Sequence, residues 1–296
     1  MPKLYIIGNG FDLSHQLETS YEDFCKYLQQ NFQDLMYKMD EYFSFKVSEK
    51  YLWTDFENDL GTFNFKAYFG DLNEIDVLHE SFKPSEVYSL EDEMQQEIDR
   101  FIDEIRTAFT NWISELDISL GKVKNIKFSN KDYFINFNYT ETLEELYNIN
   151  TSKIFYIHNK ANNYMDLTFG HGEINERYPK DKELNEEGDS NRTLFTEAEN
   201  IARYPFYAFQ KKTNKVLENH YEEFNKFNDC NEIFILGHAL GKVDLPYFRK
   251  IKEMLPNASW KISYYSNNEK LKLKSIAIEL GIKKNNISMI KISDLE

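Results

Sequence analysis

The stretch Lys3-Leu-Tyr-Ile-Ile-Gly-Asn-Gly-Phe-Asp12 decides the fold. Four apolar residues with β-branched and aromatic character run into a Gly-x-Gly turn. That pattern reads as a buried strand feeding a tight turn and then a helix. The same grammar returns later in the chain. Phe134 to Phe137, Ile154 to Ile157, Asp166 to Phe169, Ile233 to Leu236, Trp260 to Tyr264 and Ile287 to Ile290 are short apolar runs, most of them followed by helical stretches. Short apolar strands alternating with helices predict an α/β fold, Rossmann-like and three-layered, with a largely parallel sheet. The first strand joins that sheet, so residues of about 18–125 read as a large helical insertion within a single domain spanning 1–296. The spacing of Leu90, Met94, Ile98, Phe101, Ile105, Phe109 and Trp112 gives a helix over 89–117 with one apolar face. Thr19-Ser-Tyr-Glu22 reads as a capping box opening another. Residues 173–195 are charged and poor in apolar side chains, and read as a loop near the sheet edge.

Composition narrows the function. The 296 residues carry 35 Lys and Arg against 50 Asp and Glu, a net charge of −15. That balance argues against a broad nucleic-acid footprint, although Lys211, Lys212 and Lys215 cluster, as do Lys270, Lys272 and Lys274. No apolar run is long enough to span a bilayer. Cys25 and Cys230 stand far apart, which excludes a zinc ribbon and fits a reducing cytoplasm.

In open α/β sheets ligands bind beyond the carboxyl ends of the strands. Polar clusters stand at such ends: Gly8-Asn-Gly-Phe-Asp12, Asn136-Phe-Asn-Tyr-Thr140, His158, Gly170-His171-Gly172, Gly237-His-Ala-Leu-Gly241 with Asp244, and Ser266-Asn-Asn-Glu269. Gly8 and Gly10 permit close approach of backbone to phosphate, but Leu13 stands where a dinucleotide fingerprint needs a third glycine. Asp12 either holds a ribose hydroxyl or caps the next turn. Asn138 is either a ligand-facing amide or a helix N-cap with Glu141 as partner. His171, between glycines, reads as a ring open to a ligand, and like Glu57 it is either a partner behind the site or a buried, hydrogen-bonded structural residue. Asp244 before Pro246 reads as an N-cap, and Ser266 with Glu269 as a capping box. Walker A spacing and a nucleophile elbow are both absent, since Val243 and Ala239 stand at the deciding positions. No carboxylate-rich spacing joins His158 and His171, so no metal is expected.

Together these motifs resemble the AbiH family of bacterial phage abortive-infection proteins. The resemblance rests on Leu4 to Leu13, Thr19-Ser-Tyr-Glu-Asp-Phe24, Trp53-x-x-x-Glu57, Phe137-Asn-Tyr-Thr140 and Gly237 to Gly241 with Asp244, in that order. Gln16 and Glu18 stand where the family tends to have Gly and Pro. Asn159 stands where Gly is usual, and Ala239 where Ser is. A more distant resemblance is to Sir2-like NAD-binding proteins, with Gly8/Gly10, Asn138, His158, Gly237 to Leu240 and Ser266/Asn267 in matching order. That resemblance implies NAD as substrate or ligand and no metal. Asn138 would place an attacking water and His158 would act on a ribose hydroxyl. Gly8, Asn9 and Gly10 would hold the pyrophosphate, and Asn267 the adenine-side ribose. Asp12, Tyr139, Thr140, Gly237, His238 and Ser266 would complete the nucleotide site, with Glu57, His171 and Asp244 behind it. The reading is thus a cytoplasmic defence protein that binds an adenine nucleotide and hydrolyses NAD. A homo-oligomer or a defence-system partner fits the large aromatic helical region. An RNA-acting toxin and a non-catalytic nucleotide sensor are the alternatives.

Overall fold

Six short strands form one all-parallel sheet in the order β3-β2-β1-β4-β5-β6. They are β1 Leu4–Ile7, β2 Tyr133–Asn136, β3 Ile154–Tyr156, β4 Glu232–Leu236, β5 Ser259–Ser263 and β6 Ile287–Ile290. The computed structural model describes residues 1–160, 167–172, 190 and 192–296. Register is simple: Leu4 lies beside Tyr133 on one side and Ile233 on the other. Side chains alternate across the sheet, as a strand requires. Leu4 and Ile6 enter one apolar cluster with Ile135, Ile233, Ile235, Tyr247 and Phe248. Tyr5 and Ile7 enter another with Phe134, Phe234, Leu236 and Leu143. Both faces are covered, which is why these strands are continuous apolar runs rather than alternating ones.

The strand order reverses between β1 and β4. Chain order moves outward from β1 to β3, then returns to β4 on the other side of β1. This is the doubly wound order of dinucleotide-binding sheets, and its switch point is where such sheets open a crevice.

The chain divides into two compact units. The first comprises Met1–Phe24, Thr110–Thr168 and Lys212–Glu296, and holds the whole sheet. The second comprises Cys25–Phe109 and Phe169–Lys211. Its core is aromatic: Trp53, Phe56, Phe63, Tyr68, Phe101 and Phe109 are all buried. Trp53 and Phe56 stack at 5.6 Å, and Phe56 and Phe109 at 6.2 Å.

Several local expectations shift. Helix Ser85–Glu115 matches the apolar spacing read over 89–117. The capping box before Tyr21–Asn31 is formed by Ser20 and Asp23, one residue beyond Thr19 and Glu22. The Ser20 amide donates to Asp23 Oδ2 at 3.1 Å, and the Asp23 amide to Ser20 Oγ at 3.2 Å. Leu167–Phe169 form no strand. Asp166, and residues 173–189 and 191 of the loop read over 173–195, lie outside the described residues.

Candidate functional site at the strand carboxyl ends

Four strands of the first unit deliver polar side chains at their carboxyl ends. After β1 the chain turns through Gly8 into the short helix Asn9–Ser14. The turn packs backbone to backbone against the loop after β4. The Gly10 amide donates to the Gly237 carbonyl at 2.8 Å. A Cβ on Gly8 would stand 2.7 Å from His238 Cα, and one on Gly237 only 2.0 Å from the Phe11 nitrogen. Gly237 also has φ +69°, a conformation that side chains resist. The Gly237 amide is held by Ser263 Oγ, at the end of β5, at 2.8 Å. Asn9 donates its side-chain amide to the Thr19 carbonyl at 2.7 Å, pinning the end of the loop.

Asp12 lies beneath this turn, fully buried. Thr140 Oγ1 donates to its Oδ2 at 2.5 Å, and Thr142 Oγ1 donates to Thr140 Oγ1 at 3.2 Å. Burial pushes the Asp12 carboxyl up to about 6, against the lowering effect of Thr140, Thr142 and the nearby Asn138. Asp12 Oδ1 has no hydrogen-bond partner among the described residues, and neither has Asn138 Nδ2. Asn138 is itself buried, its backbone amide tied to Asn136 Oδ1 at 3.0 Å. A carboxyl poised near neutrality and an open amide, both at strand ends, mark a place where a ligand's polar groups would be met.

The second group lies around Asp244. His158, two residues past the end of β3, points Nε2 at Asp244 Oδ1 across 3.7 Å. His238, just after β4, points Nε2 at Asp244 Oδ2 across 3.5 Å. The Phe137 ring stands edge-on to both histidines, 5.3 Å from His158 and 4.4 Å from His238. Tyr139 stacks over His158 at 6.0 Å and donates its hydroxyl to the Thr168 carbonyl at 3.1 Å.

A family model described as bacteriophage abortive infection AbiH matches residues 4–264. The chain belongs to the AbiH family. It is therefore a bacteriophage abortive-infection protein. No curated protein and no solved structure shows a significant match. The matched span covers the glycine turn, the Asn138 loop, His158 and the Gly237–Asp244 loop. Gln16 has φ +63° and Asn159 φ +64°, so each holds a left-handed conformation that glycine adopts without strain.

Three expectations about AbiH residues are corrected. Asn138 is not an N-cap: the helix that follows is Thr142–Tyr147, with Glu141 at its N-cap position. His171 is not open to a ligand but fully buried in the second unit, with both ring nitrogens 2.8 Å from the backbone carbonyls of Phe206 and Gly172. Nor is Lys211 part of a basic surface. It is buried in the second unit and ion-paired with Glu57. Asp244 does occupy the N-cap position of Leu245–Met254, yet its carboxylate makes no capping bond and faces the two histidines. Ser266 caps Asn267–Glu279, its Oγ accepting from the Glu269 amide at 3.2 Å. Asn267 follows it at the exposed start of that helix. Sequence reasoning misses Thr142 and Ser263. Thr142 repeats the Thr140 hydroxyl two residues on, and Ser263 is the small polar residue that closes β5. Ser263 is visible as a polar residue at a strand end, and Thr142 as one at a helix start.

Proposed function

We propose that this AbiH protein binds NAD at the carboxyl ends of β1 to β4 and hydrolyses it to nicotinamide and ADP-ribose. One observation carries the reading: Asp12 Oδ1 and Asn138 Nδ2, both buried at the switch point of a dinucleotide-type sheet, lack hydrogen-bond partners among the described residues. One is an acceptor and the other a donor. A hydroxyl both donates and accepts, so a ribose hydroxyl would satisfy the two together. Leaving them unmet costs stability, about 1–3 kcal/mol for each buried polar group.

The chemistry balances without a metal. Water, placed by Asn138, attacks the anomeric carbon. The bond from that carbon to the ring nitrogen breaks, and its electron pair leaves with neutral nicotinamide. The proton released by the water passes through a ribose hydroxyl to His158. The oxocarbenium-like transition state needs oriented dipoles and one proton acceptor, which these strand ends supply. In the infected cell such a reaction would deplete NAD and arrest growth.

The test is incubation of the purified protein with NAD, followed by chromatography for nicotinamide and ADP-ribose, with Asn138→Ala beside it. Release that falls by about 10²-fold or more in the variant supports the reading. NAD that raises the melting temperature without being cleaved would make the protein a nucleotide sensor. Neither release nor protection overturns the reading and directs attention to RNA.

A further inference from the structure

The geometry points to Asp244 and His238 as positioning residues that make His158 a proton acceptor, a role that rests on the hydrolytic reading of the site. His158 turns Nδ1 to the Phe137 carbonyl at 3.3 Å and Nε2 to Asp244 Oδ1 at 3.7 Å. These two groups are oxygens that accept. Only a ring protonated on both nitrogens donates to both. The surroundings therefore fit the imidazolium, the form His158 takes once it has received a proton. Stabilisation of that form, built in before the reaction, is what a base at this position needs.

His238 faces the opposite pair. The Leu240 amide donates to its Nδ1 at 3.0 Å, held there by a left-handed residue, Leu240 at φ +51°. Nδ1 therefore carries a lone pair, and the ring's proton is on Nε2, facing Asp244 Oδ2 at 3.5 Å. One carboxylate spans two rings, each through its own oxygen. His238 aims Asp244, and Asp244 stabilises the charge on His158. The helix Leu245–Met254 starts without a capping bond from Asp244, and the carboxylate faces the two histidines. Among the described residues, the aromatic rings packed on His158 are those of Tyr139, Phe137 and, at 6.1 Å, Tyr247, and none of these rings carries a charge. Separations of 3.5 and 3.7 Å exceed a hydrogen bond, as catalytic contacts often do before substrate draws them together.

Two substitutions at one position separate positioning from simple turn formation. His238→Gln keeps a donor near the Nε2 position and loses the acceptor for Leu240. His238→Asn keeps that acceptor and loses the donor to Asp244. Nicotinamide release in His238→Gln should stay within about tenfold of wild type. In His238→Asn and Asp244→Asn it should fall by about 10²-fold, the scale of a general base's contribution. An active His238→Asn beside an inactive His238→Gln overturns the proposal, because the ring would then only shape the turn. Nitrogen-15 NMR of histidine-labelled wild-type protein gives a second readout that needs no turnover. A neutral His238 protonated on Nε2, with His158 protonated on Nδ1, supports the arrangement; a His238 proton on Nδ1 overturns it. Wild-type protein that shows these tautomers but releases no nicotinamide removes the hydrolytic reading and leaves the His–Asp–His arrangement supported.

Discussion

Two clusters of polar and ionisable side chains behave differently. In the second unit, Lys211 pairs with Glu57, its backbone amide donates to the His171 carbonyl at 2.8 Å, and both His171 nitrogens face backbone carbonyls at 2.8 Å. Gly61 leaves room for the ring: a Cβ there would stand 2.9 Å from His171 Cγ. Each of these contacts is short and most end on the main chain. At the strand ends of the first unit, His158, His238 and Asp244 face one another across 3.5 to 3.7 Å, and Asp12 and Asn138 keep one polar atom each without a hydrogen-bond partner among the described residues. Tight pairing to backbone is how a fold fixes itself. Loose pairing among side chains, with a carboxyl raised by burial, is how a site stays ready for a ligand.

The largest effect should come from the tight cluster. Removing one member of a buried ion pair leaves the other charge stranded, at a cost of about 3–5 kcal/mol. Lys211→Met should therefore lower stability by about that much in urea denaturation. Adding Glu57→Leu should restore most of the loss, because two apolar side chains need no charge partner. A Lys211→Met protein as stable as wild type would break the comparison, since the pair would then not be structural.

Much of the fold is legible because strand ends carry their own punctuation. Leu4–Ile7 stops at Gly8, and Ile233–Leu236 stops at Gly237, so both strands and the switch-point side of the sheet can be found from spacing alone. The partners of those glycines are not legible. Gly8, Gly10 and Gly237 admit one another's backbones, a contact between residues over two hundred positions apart that no local pattern encodes. Asp244 shows the same limit. Its offset from Pro246 correctly places it at a helix start, but its carboxylate is claimed by His158, 86 residues earlier. Asn138 fails as a cap because the helix begins only at Thr142, after a turn that Asn136 ties down through the Asn138 amide. The glycines beside His171 mislead, because they open a ring to solvent only where nothing else packs there, and Phe206 does. Lys211 misleads because its neighbours Lys212 and Lys215 suggest a basic surface.

The loose cluster should respond with the opposite sign. Burial raises Asp12 from 3.8 to about 6. Between pH 4 and 6 the folded chain binds more protons than the unfolded one, so stability falls as pH rises through that window. Above it the fold carries the cost of a buried carboxylate, about 3 kcal/mol at most. Asp12→Asn keeps an oxygen to accept from Thr140 and sheds the charge. It should gain about 1–3 kcal/mol at pH 7.5, and less at pH 4.5, in urea titrations at the two pH values. Nicotinamide release should fall in the same protein, so stability and activity move apart. A loss of stability at pH 7.5 as large as that of Lys211→Met would place Asp12 with the tight cluster instead.

Ser266 gives the finest cut, because two readings claim the same hydroxyl. As a nucleotide contact it belongs with the loose cluster. As the cap of Asn267–Glu279 its oxygen is already engaged by the Glu269 amide at 3.2 Å, while Glu269 accepts from the Tyr265 amide at 2.6 Å. An engaged hydroxyl has little left for a ligand, so the cap should dominate. Ser266→Ala should lower stability by about 1 kcal/mol, and Ser266→Asp, also a good cap, should restore it. A phosphate-bearing ligand separates the readings further. If Ser266 touched one, Ser266→Asp would place a carboxylate against it and weaken the thermal protection given by NAD, even as the helix recovered. Protection equal to wild type in both variants keeps Ser266 with the residues that build the fold, and confines ligand recognition to the ends of β1 to β4.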